Sequence, residues 1–340
     1  MTLREIVLSQ VRHRETRPVP FTMPCEPPVA AMLDAHYGGN RWRGMIPPYI
    51  VSILHVDTLQ EVPIDAGHAR DGFGAIWRTD RLPWHLEKPP LTEPSFRNYR
   101  FPDSAQFTDP IQTHVEEAIR KAHRHADSFR IISMGWGIFE QTWRIRGFED
   151  VLMDMVTEPE FYRDFCERIT DLYVAMVRAC AEVPAEAYLF GDDWGEQRGV
   201  IIGPDRWREF IKPCWKRVYE EVHAQGKLVM SHSCGSVADI MGDIVEIGMD
   251  VLESVQPEAK GMNTYELKEK WGDRIAFWGC IGSQSLIPFG TPDEIRREIG
   301  RLCREAGKGG GLILAPAKPL RPETPPENAV ALLEALANQG

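Results

Sequence analysis

From about residue 130 onward, the sequence alternates short apolar runs with longer amphipathic segments. Short apolar runs bounded by turn residues predict buried strands, and amphipathic segments predict helices that pack on them. We expect six such strands, at residues 130–134, 187–191, 227–231, 251–255, 275–278 and 311–315. Because strands and helices alternate, the fold class is α/β with a parallel sheet.

Two further strands would complete the eight of a (β/α)8 TIM barrel. One candidate is residues 18–23, and another lies within residues 24–129, an irregular region rich in Pro, Trp, His and Gly. We therefore predict a single barrel domain over residues 1–340, in which residues 24–129 elaborate and cover the active-site face. A doubly wound open sheet is the alternative, although no Gly-rich phosphate loop follows a predicted strand.

Three helices have recognisable ends in the sequence. A helix over residues 204–225 would begin at Pro204 and stop at Gly226, with a kink at Pro213. Two later segments, TPDE at 291–294 and TPPE at 324–327, have the pattern of capping boxes.

Composition excludes several classes of function. The net charge is −11 and Lys and Arg form no stripe, which argues against nucleic-acid binding. No run approaches the roughly 18 apolar residues of a membrane span, and the first residues are not signal-like. We therefore expect no membrane association and a cytoplasmic location. Seven scattered cysteines fit reduced thiols better than disulfides.

Polar side chains gather where the predicted strands end, which is where a barrel of this kind carries its chemistry. These residues are Asp192, Asp193, Glu196 and Gln197 after the second strand, His232 and Cys234 after the third, Gln256 after the fourth, Cys280 and Gln284 after the fifth, and Lys318 after the sixth. The set contains groups that bind metals or transfer protons. Each also has a structural interpretation: a turn cap for Asp192 or Asp193, a core position for Cys280, and a solvated loop for Lys318.

His232 and Cys234 are two positions apart in an extended segment, so their side chains point to the same side. An imidazole and a thiolate favour zinc, which needs a third protein ligand and an open position for substrate. The alternative is a hydrogen-bonded histidine that merely ends a strand.

The chain resembles the uroporphyrinogen decarboxylase superfamily, and most of all its branch related to corrinoid-dependent methyltransferases. Segments that carry the resemblance include DGFGAIWR (71–78), RGFEDVLMDMVTEPEF (146–161), FGDDWGEQRGVIIGPDRWREFIKP (190–213), HSCGSVADI (232–240), FWGCIGSQSLIPFGTPDEI (277–295) and GGLILAPAKPLRPETPPEN (310–328). The resemblance implies a (β/α)8 barrel. The arginine-rich RQAGR motif of true uroporphyrinogen decarboxylases is missing, which disfavours porphyrinogen decarboxylation.

In the methyltransferase branch, the corresponding His-x-Cys residues ligate zinc together with a cysteine near the last strand. The resemblance therefore implies His232 and Cys234 as ligands, but Lys318 stands at the last-strand position. Cys280 would replace the missing ligand, or a carboxylate such as Asp193 or Glu196 would, or the metal is lost.

The leading hypothesis is a methyltransferase that moves a methyl group between a small methylated compound, such as a methyl ether, and the corrinoid of a partner protein. Asp192 or Asp193 would orient a ligand or act as the acid. If the metal is lost, Lys318 would instead pair with an anionic substrate group or with Asp192. The remaining residues expected to bind substrate are Glu196, Gln197, Gln256, Gln284 and Trp136. Trp136 belongs to a group of tryptophans that suggests an aromatic-lined cavity. A homodimer is expected from the superfamily.

The runner-up is a cofactor-free decarboxylase of a small aromatic or heterocyclic acid. An aspartate would protonate the developing carbanion, and Lys318 or Arg198 would hold the carboxylate. A non-catalytic binding protein on an enzyme scaffold is a third hypothesis.

Overall fold

Seven parallel strands form the main sheet of the computed structural model, which describes residues 1–339. Their spatial order follows the chain: β1 (Ile50–Val56), β6 (Phe129–Met134), β7 (Ala187–Gly191), β8 (Leu228–His232), β9 (Val251–Val255), β10 (Ala276–Ile281) and β11 (Leu312–Pro316). A second, antiparallel sheet contains β2 (Val62–Asp65), β3 (His68–Arg70), β4 (Ile76–Arg78) and β5 (His85–Lys88). The sequential order places the carboxyl ends of neighbouring strands side by side along one edge.

All six predicted strands are present, and the one expected within residues 24–129 is β1. The segment 18–23 forms only an isolated parallel bridge, in which Leu314 of β11 accepts a hydrogen bond from Thr22 and donates one to Pro20, both at 2.9 Å. Pro18 and Pro20 have no N–H to extend the pairing. The α/β class is therefore confirmed as a curled sheet of seven parallel strands, whereas the eighth strand is a single bridge.

Helices connect the strands of the main sheet. They are α1 (Leu3–Val11), α2 (Pro27–Tyr37), α3 (Ala105–Arg124), α4 (Ile138–Arg146), α5 (Phe148–Thr157), α6 (Pro159–Ala179), α7 (Pro204–Arg206), α8 (Lys212–Ala224), α9 (Met241–Glu246), α10 (Thr264–Trp271), α11 (Leu286–Phe289), α12 (Pro292–Arg301) and α13 (Pro326–Ala337). Within residues 1–339, none of these helices combines the length and the apolar character needed to cross a membrane.

Burial separates the two sheets. Every residue of β10 and β11 is buried, as expected for parallel strands that are covered on both faces. By contrast, all four residues of β2 are exposed. The region 24–129 thus supplies one core strand, two helices and a small sheet whose β2 is exposed and whose Ala69 and Trp77 are buried, and it is more regular than its composition predicts.

The predicted helix over residues 204–225 is continuous but changes its geometry. A π-helical turn, Trp207–Ile211, joins α7 to α8 just before Pro213. Proline has no N–H to bond back to the preceding turn, so a wider turn accommodates it there. The sequence predicts a kink at Pro213, and the irregularity that the structure shows is this π-helical turn, which ends two residues before the proline.

One of the two predicted capping boxes is confirmed. The Thr291 hydroxyl accepts a hydrogen bond from the Glu294 N–H at 3.3 Å, and the Glu294 carboxylate accepts one from the Thr291 N–H at 2.7 Å. The prediction at Thr324 is wrong, because α13 begins at Pro326 and its N-cap residue is Pro325. The second proline of the TPPE sequence moves the helix start one residue beyond the threonine.

Replacing the capping threonine of α12 should have a small and specific cost. We expect Thr291→Ala to lower the free energy of unfolding by about 1 kcal/mol, because it leaves the Glu294 N–H without its partner. Ser104 precedes α3 without a side-chain capping bond, so Ser104→Ala is the matched control and should change little. Urea unfolding of both variants, followed by circular dichroism, measures the difference.

Candidate functional site

Asp193, His232 and Cys234 come together at the carboxyl ends of β7 and β8. One potential ligand atom from each residue lies within 4.8 Å of the other two. His232 Nε2 is 3.3 Å from Asp193 Oδ1, and the backbone N–H of Cys234 donates to the same oxygen at 3.1 Å. Within residues 1–339, this is the one group of three or more His, Cys, Asp or Glu residues with ligand atoms so close together.

The backbone fixes the loops that carry these three residues. Gly195 and Gly235 pack directly against each other, and a Cβ on Gly235 would lie 2.6 Å from the carbonyl carbon of Gly195. Gly235 also has φ of +75°, a conformation that glycine adopts without strain. The Trp194 N–H donates to the Ser233 hydroxyl at 2.9 Å, which ties the two loops together beside Asp193 and Cys234.

Glu253 orients His232 from the neighbouring strand. Residues 232 and 253 are paired in the register of β8 and β9, and the Glu253 carboxylate contacts Nδ1 of His232. The contact at Nδ1 leaves Nε2 directed toward Asp193. The sequence interpretation missed Glu253 because it considered only residues after the strands, and Glu253 lies inside one.

The charges around His232 favour its protonated, positively charged form between the carboxylates of Asp193 and Glu253. Burial by itself lowers the pKa of His232, but the Glu253 charge and hydrogen bonds with Asp193, Cys234 and Glu253 raise it well above its ordinary value. Burial likewise opposes ionisation of Asp193, but His232 and the Cys234 N–H hold its pKa below its usual range. A divalent cation bound here would meet an imidazole, a thiol and a carboxylate, the donor types of protein zinc sites.

Asp192 points away from this group into the core. It is fully buried and accepts hydrogen bonds from both indole N–H groups of Trp194 and Trp215, at 2.7 and 2.8 Å. The Phe139 and Glu140 N–H groups of α4 donate at 3.2 and 3.0 Å. Burial raises the pKa of Asp192 to about 6, and these four hydrogen bonds partly offset it. Asp192 therefore joins α4 to the end of β7.

A cavity of about 320 Å³ opens beside Asp193, lined also by Phe139, Glu140, Trp143, Phe148 and Ile201. Burial and the charges of Asp192 and Asp193 raise the pKa of Glu140 to about 8. Its burial and the neighbouring negative charges thus favour the protonated form of the Glu140 carboxyl group. Nothing in its sequence position signals this, since it lies in the first turn of a helix.

Cys280 is not brought to the group at Asp193. Its thiol is buried beside Thr264 and Lys268, and burial raises its pKa to about 12. It borders a different cavity of about 570 Å³, together with Glu258. Of the third ligands considered from the sequence, the structure places Asp193 within reach of His232 and Cys234.

The other predicted site residues are dispersed. Lys318 and Gln284 border a separate cavity of about 350 Å³. Glu196 and Gln197 are exposed, and Glu196 forms an ion pair with Arg198 at 3.5 Å. Gln256 is buried next to the loop that carries Cys234, where its side-chain oxygen accepts a hydrogen bond from the Gly235 N–H at 3.4 Å.

Trp136 follows β6 and is partly exposed, with its indole stacked on the guanidinium of Arg144 at 4.1 Å. Trp77 and Trp143 lie close by, and Trp84 borders a cavity with both of them. The aromatic group expected from the sequence is therefore present near the carboxyl ends of β1 and β6.

Comparisons with known proteins identify relatives of this chain and a solved structure that shares its fold. The chain is 24% identical over 261 residues to a methylated-thiol–coenzyme M methyltransferase of Methanosarcina mazei, covering 75% of this chain and 67% of the relative. It is 26% identical over 262 residues to a uroporphyrinogen decarboxylase of Syntrophotalea carbinolica, covering 72% and 71%. A methylcobamide:coenzyme M methyltransferase of Methanosarcina barkeri is 26% identical over 180 residues, covering 53% and 50%.

A solved methyltransferase structure from Methanosarcina mazei shares the fold, with a TM-score of 0.68 and 18% sequence identity over 99% of this chain and 98% of that one. The profile of the uroporphyrinogen decarboxylase (URO-D) family matches residues 73–339, which include α4 and the ends of β7 and β8 that carry Asp193, His232 and Cys234. The chain therefore belongs to the uroporphyrinogen decarboxylase family.

Proposed function

We propose that this protein is a zinc-assisted methyltransferase that moves a methyl group between a small methylated compound, such as a methyl ether, and a partner corrinoid protein. The observation that carries the proposal is the convergence of Asp193, His232 and Cys234 at one point of the strand-end edge. The names of two relatives, which act on coenzyme M, add support.

His232, Cys234 and Asp193 would hold the zinc. Zinc at such a site supplies a Lewis acid that deprotonates a coordinated thiol or polarises an oxygen. Glu253 holds the His232 ring through Nδ1, and Gly195 and Gly235 fix the spacing of the two loops. These contacts pre-orient the ligands, which is what a metal site requires of its surroundings.

Glu140 is placed to donate a proton to the oxygen that leaves the methyl group. It lines the cavity beside Asp193, and Asp192 holds the helix that carries it through backbone hydrogen bonds. We assign to Asp192 the role of positioning α4, and with it Glu140. Phe139, Trp143 and Phe148 surround the same cavity and would exclude water from the reacting atoms.

Removing the acid should slow turnover without unfolding the chain. We expect Glu140→Gln to lower kcat about 100-fold, within the usual range for a general acid, because the amide cannot deliver the proton. Glu160→Gln changes an exposed glutamate of α6 and should leave kcat unchanged. Steady-state kinetics of the two variants make the comparison. An unchanged kcat in Glu140→Gln would show that Glu140 is not the general acid.

The function itself is tested by methyl transfer to a reduced cobalamin. The purified chain, supplied with zinc, is incubated with cob(I)alamin and a set of methyl ethers and methyl thioethers, and methylcobalamin is followed spectroscopically. We expect methylcobalamin to form with wild type and Cys280→Ser but not with Cys234→Ser. Absence of product with every donor, with and without candidate corrinoid proteins from the same cells, contradicts the proposal.

A decarboxylase is the second candidate, supported by the relative named uroporphyrinogen decarboxylase, which is 26% identical over 262 residues. In that case, the buried acid Glu140 would protonate the carbanion left by loss of carbon dioxide. Release of carbon dioxide from a small aromatic acid, unaffected by Cys234→Ser, would favour this function over methyl transfer.

We also propose that the Phe21 bridge closes the sheet as the eighth barrel strand. Phe21 is paired with Leu314 of β11, and its ring lies 5.6 Å from that of Tyr49, which directly precedes β1. These two contacts, one with each edge of the main sheet, support the proposed closure.

A further inference from the structure

Arg144 of α4 lies between two tryptophans. Its guanidinium carbon is 4.4 Å from the ring centre of Trp77 and 4.1 Å from that of Trp136, and the residue is only 2% exposed. The indole faces satisfy the charge in part through cation–π interactions. They also cover the guanidinium faces, so any hydrogen-bond partner must approach in its plane.

No such partner is present among residues 1–339. The Nε and Nη1 atoms of Arg144 are buried without an acceptor, and the residue forms no ion pair within 4.0 Å. The charges of Asp71, Glu140 and Glu61 act on the guanidinium, but none of the three forms a hydrogen bond with it. Asp71 already accepts hydrogen bonds from the Phe73 and Ala75 N–H groups and the Trp77 indole. A buried guanidinium with unpaired N–H groups is costly, which indicates that a ligand supplies the acceptor.

Further buried polar atoms around Arg144 are also unpaired. They are the Thr58 hydroxyl, the Gln141 side-chain oxygen and the Tyr173 hydroxyl. Gln141 lies three residues before Arg144 on the same helix, and the Tyr173 hydroxyl lies close enough to Gln141 to pair with its side chain when no ligand is bound. Donors and an acceptor are thus concentrated in one place, as in a binding site rather than a packed core.

This group borders the proposed active site. Thr58 follows β1 and Trp136 follows β6, so both lie at the carboxyl ends of strands, beside β7 with Asp193. Arg144 is one helical turn from Glu140, which lines the cavity next to Asp193. A small molecule that spans this turn would contact Arg144 at one end and the proposed zinc ligands at the other.

We propose that Arg144 binds a carboxylate group of the substrate, so that the methylated compound is a small carboxylic acid. A carboxylate is planar and charged, and it accepts two hydrogen bonds in the plane of a guanidinium whose faces are covered. This inference rests on the proposed function in placing the substrate at this edge of the sheet. It specifies the substrate class of the proposed methyl transfer, which the names of the two coenzyme M methyltransferases do not provide.

Direct binding tests this assignment without a methyl-transfer assay. Calorimetry on the full chain compares acetate, methoxyacetate, benzoate and 4-methoxybenzoate, each with its primary amide. We expect at least one acid to bind about 10-fold or more tighter than its amide, because the buried N–H groups reject a poorer acceptor. Arg144→Gln should abolish the preference. If Arg144→Gln does not fold, the same measurement is made on Arg144→Met, which keeps an apolar side chain between the two indoles.

A wild type that prefers no acid over its amide overturns the assignment, and so does a preference that survives in the Arg144 variant. The binding measurement needs neither corrinoid nor turnover. An Arg144-dependent preference in a protein that transfers no methyl group therefore keeps the carboxylate site and rejects only the methyltransferase. Methyl transfer from neutral donors alone, without binding of any acid, keeps the methyltransferase and rejects the carboxylate site.

Discussion

Asp192→Ala is expected to lower the free energy of unfolding by about 4 kcal/mol, since it leaves four buried N–H donors without an acceptor. Two of these donors are the indoles of Trp194 and Trp215, and two are backbone N–H groups at the start of α4. Each donor loses a hydrogen bond to a charged group in a site closed to water. The loss should also loosen α4 and so displace Glu140.

Urea unfolding followed by tryptophan fluorescence measures this effect, because two of the affected groups are themselves tryptophans. A chelator in all samples removes any contribution of bound metal to stability. Asp205→Ala is the control: Asp205 is almost fully exposed, and its surface ion pair with Arg208 contributes little. If both aspartate variants unfold at the wild-type urea concentration, Asp192 does not hold α4 in place.

Loss of either His232 or Cys234 should nearly abolish metal binding. We expect His232→Ala and Cys234→Ser each to weaken zinc affinity by more than about 100-fold, because loss of a residue that only supports a ligand already costs about 10- to 100-fold. Each variant leaves two protein ligands, too few for a stable tetrahedral site. Competition with a fluorescent zinc chelator gives the affinities.

The matched comparison for these variants is Cys214→Ser, which removes a buried thiol on α8 that donates to the Phe210 carbonyl of the preceding π-helical turn. Its zinc affinity should equal that of wild type. Equal zinc affinity in wild type, His232→Ala and Cys234→Ser would show that any bound zinc lies elsewhere on the chain.

The strands could be predicted because each buried strand is a short apolar run between turn residues, a local pattern. The His232 and Cys234 pair was visible for the same reason, since two positions in an extended segment share a side. Asp193 could be proposed as their third ligand because consecutive parallel strands lie side by side. Local pattern and strand order thus account for the candidate zinc site.

Other site residues depend on relations that a single sequence does not contain. Glu253 reaches His232 only through the register between β8 and β9. Glu140 and Arg144 reach the site only through the orientation of α4. Cys280 shows the opposite case: it is near a strand end, but its side chain lies against Thr264 and away from His232. Proximity to a strand end does not determine which side a residue faces.

The zinc content of tag-free wild type, Asp193→Ala and Cys280→Ser tests the central claim most directly. Each protein is supplied with zinc, dialysed against metal-free buffer and analysed by inductively coupled plasma mass spectrometry. The account predicts about one zinc per chain in wild type and Cys280→Ser and far less in Asp193→Ala. Absence of zinc from wild type, or its loss from Cys280→Ser and retention in Asp193→Ala, would contradict it.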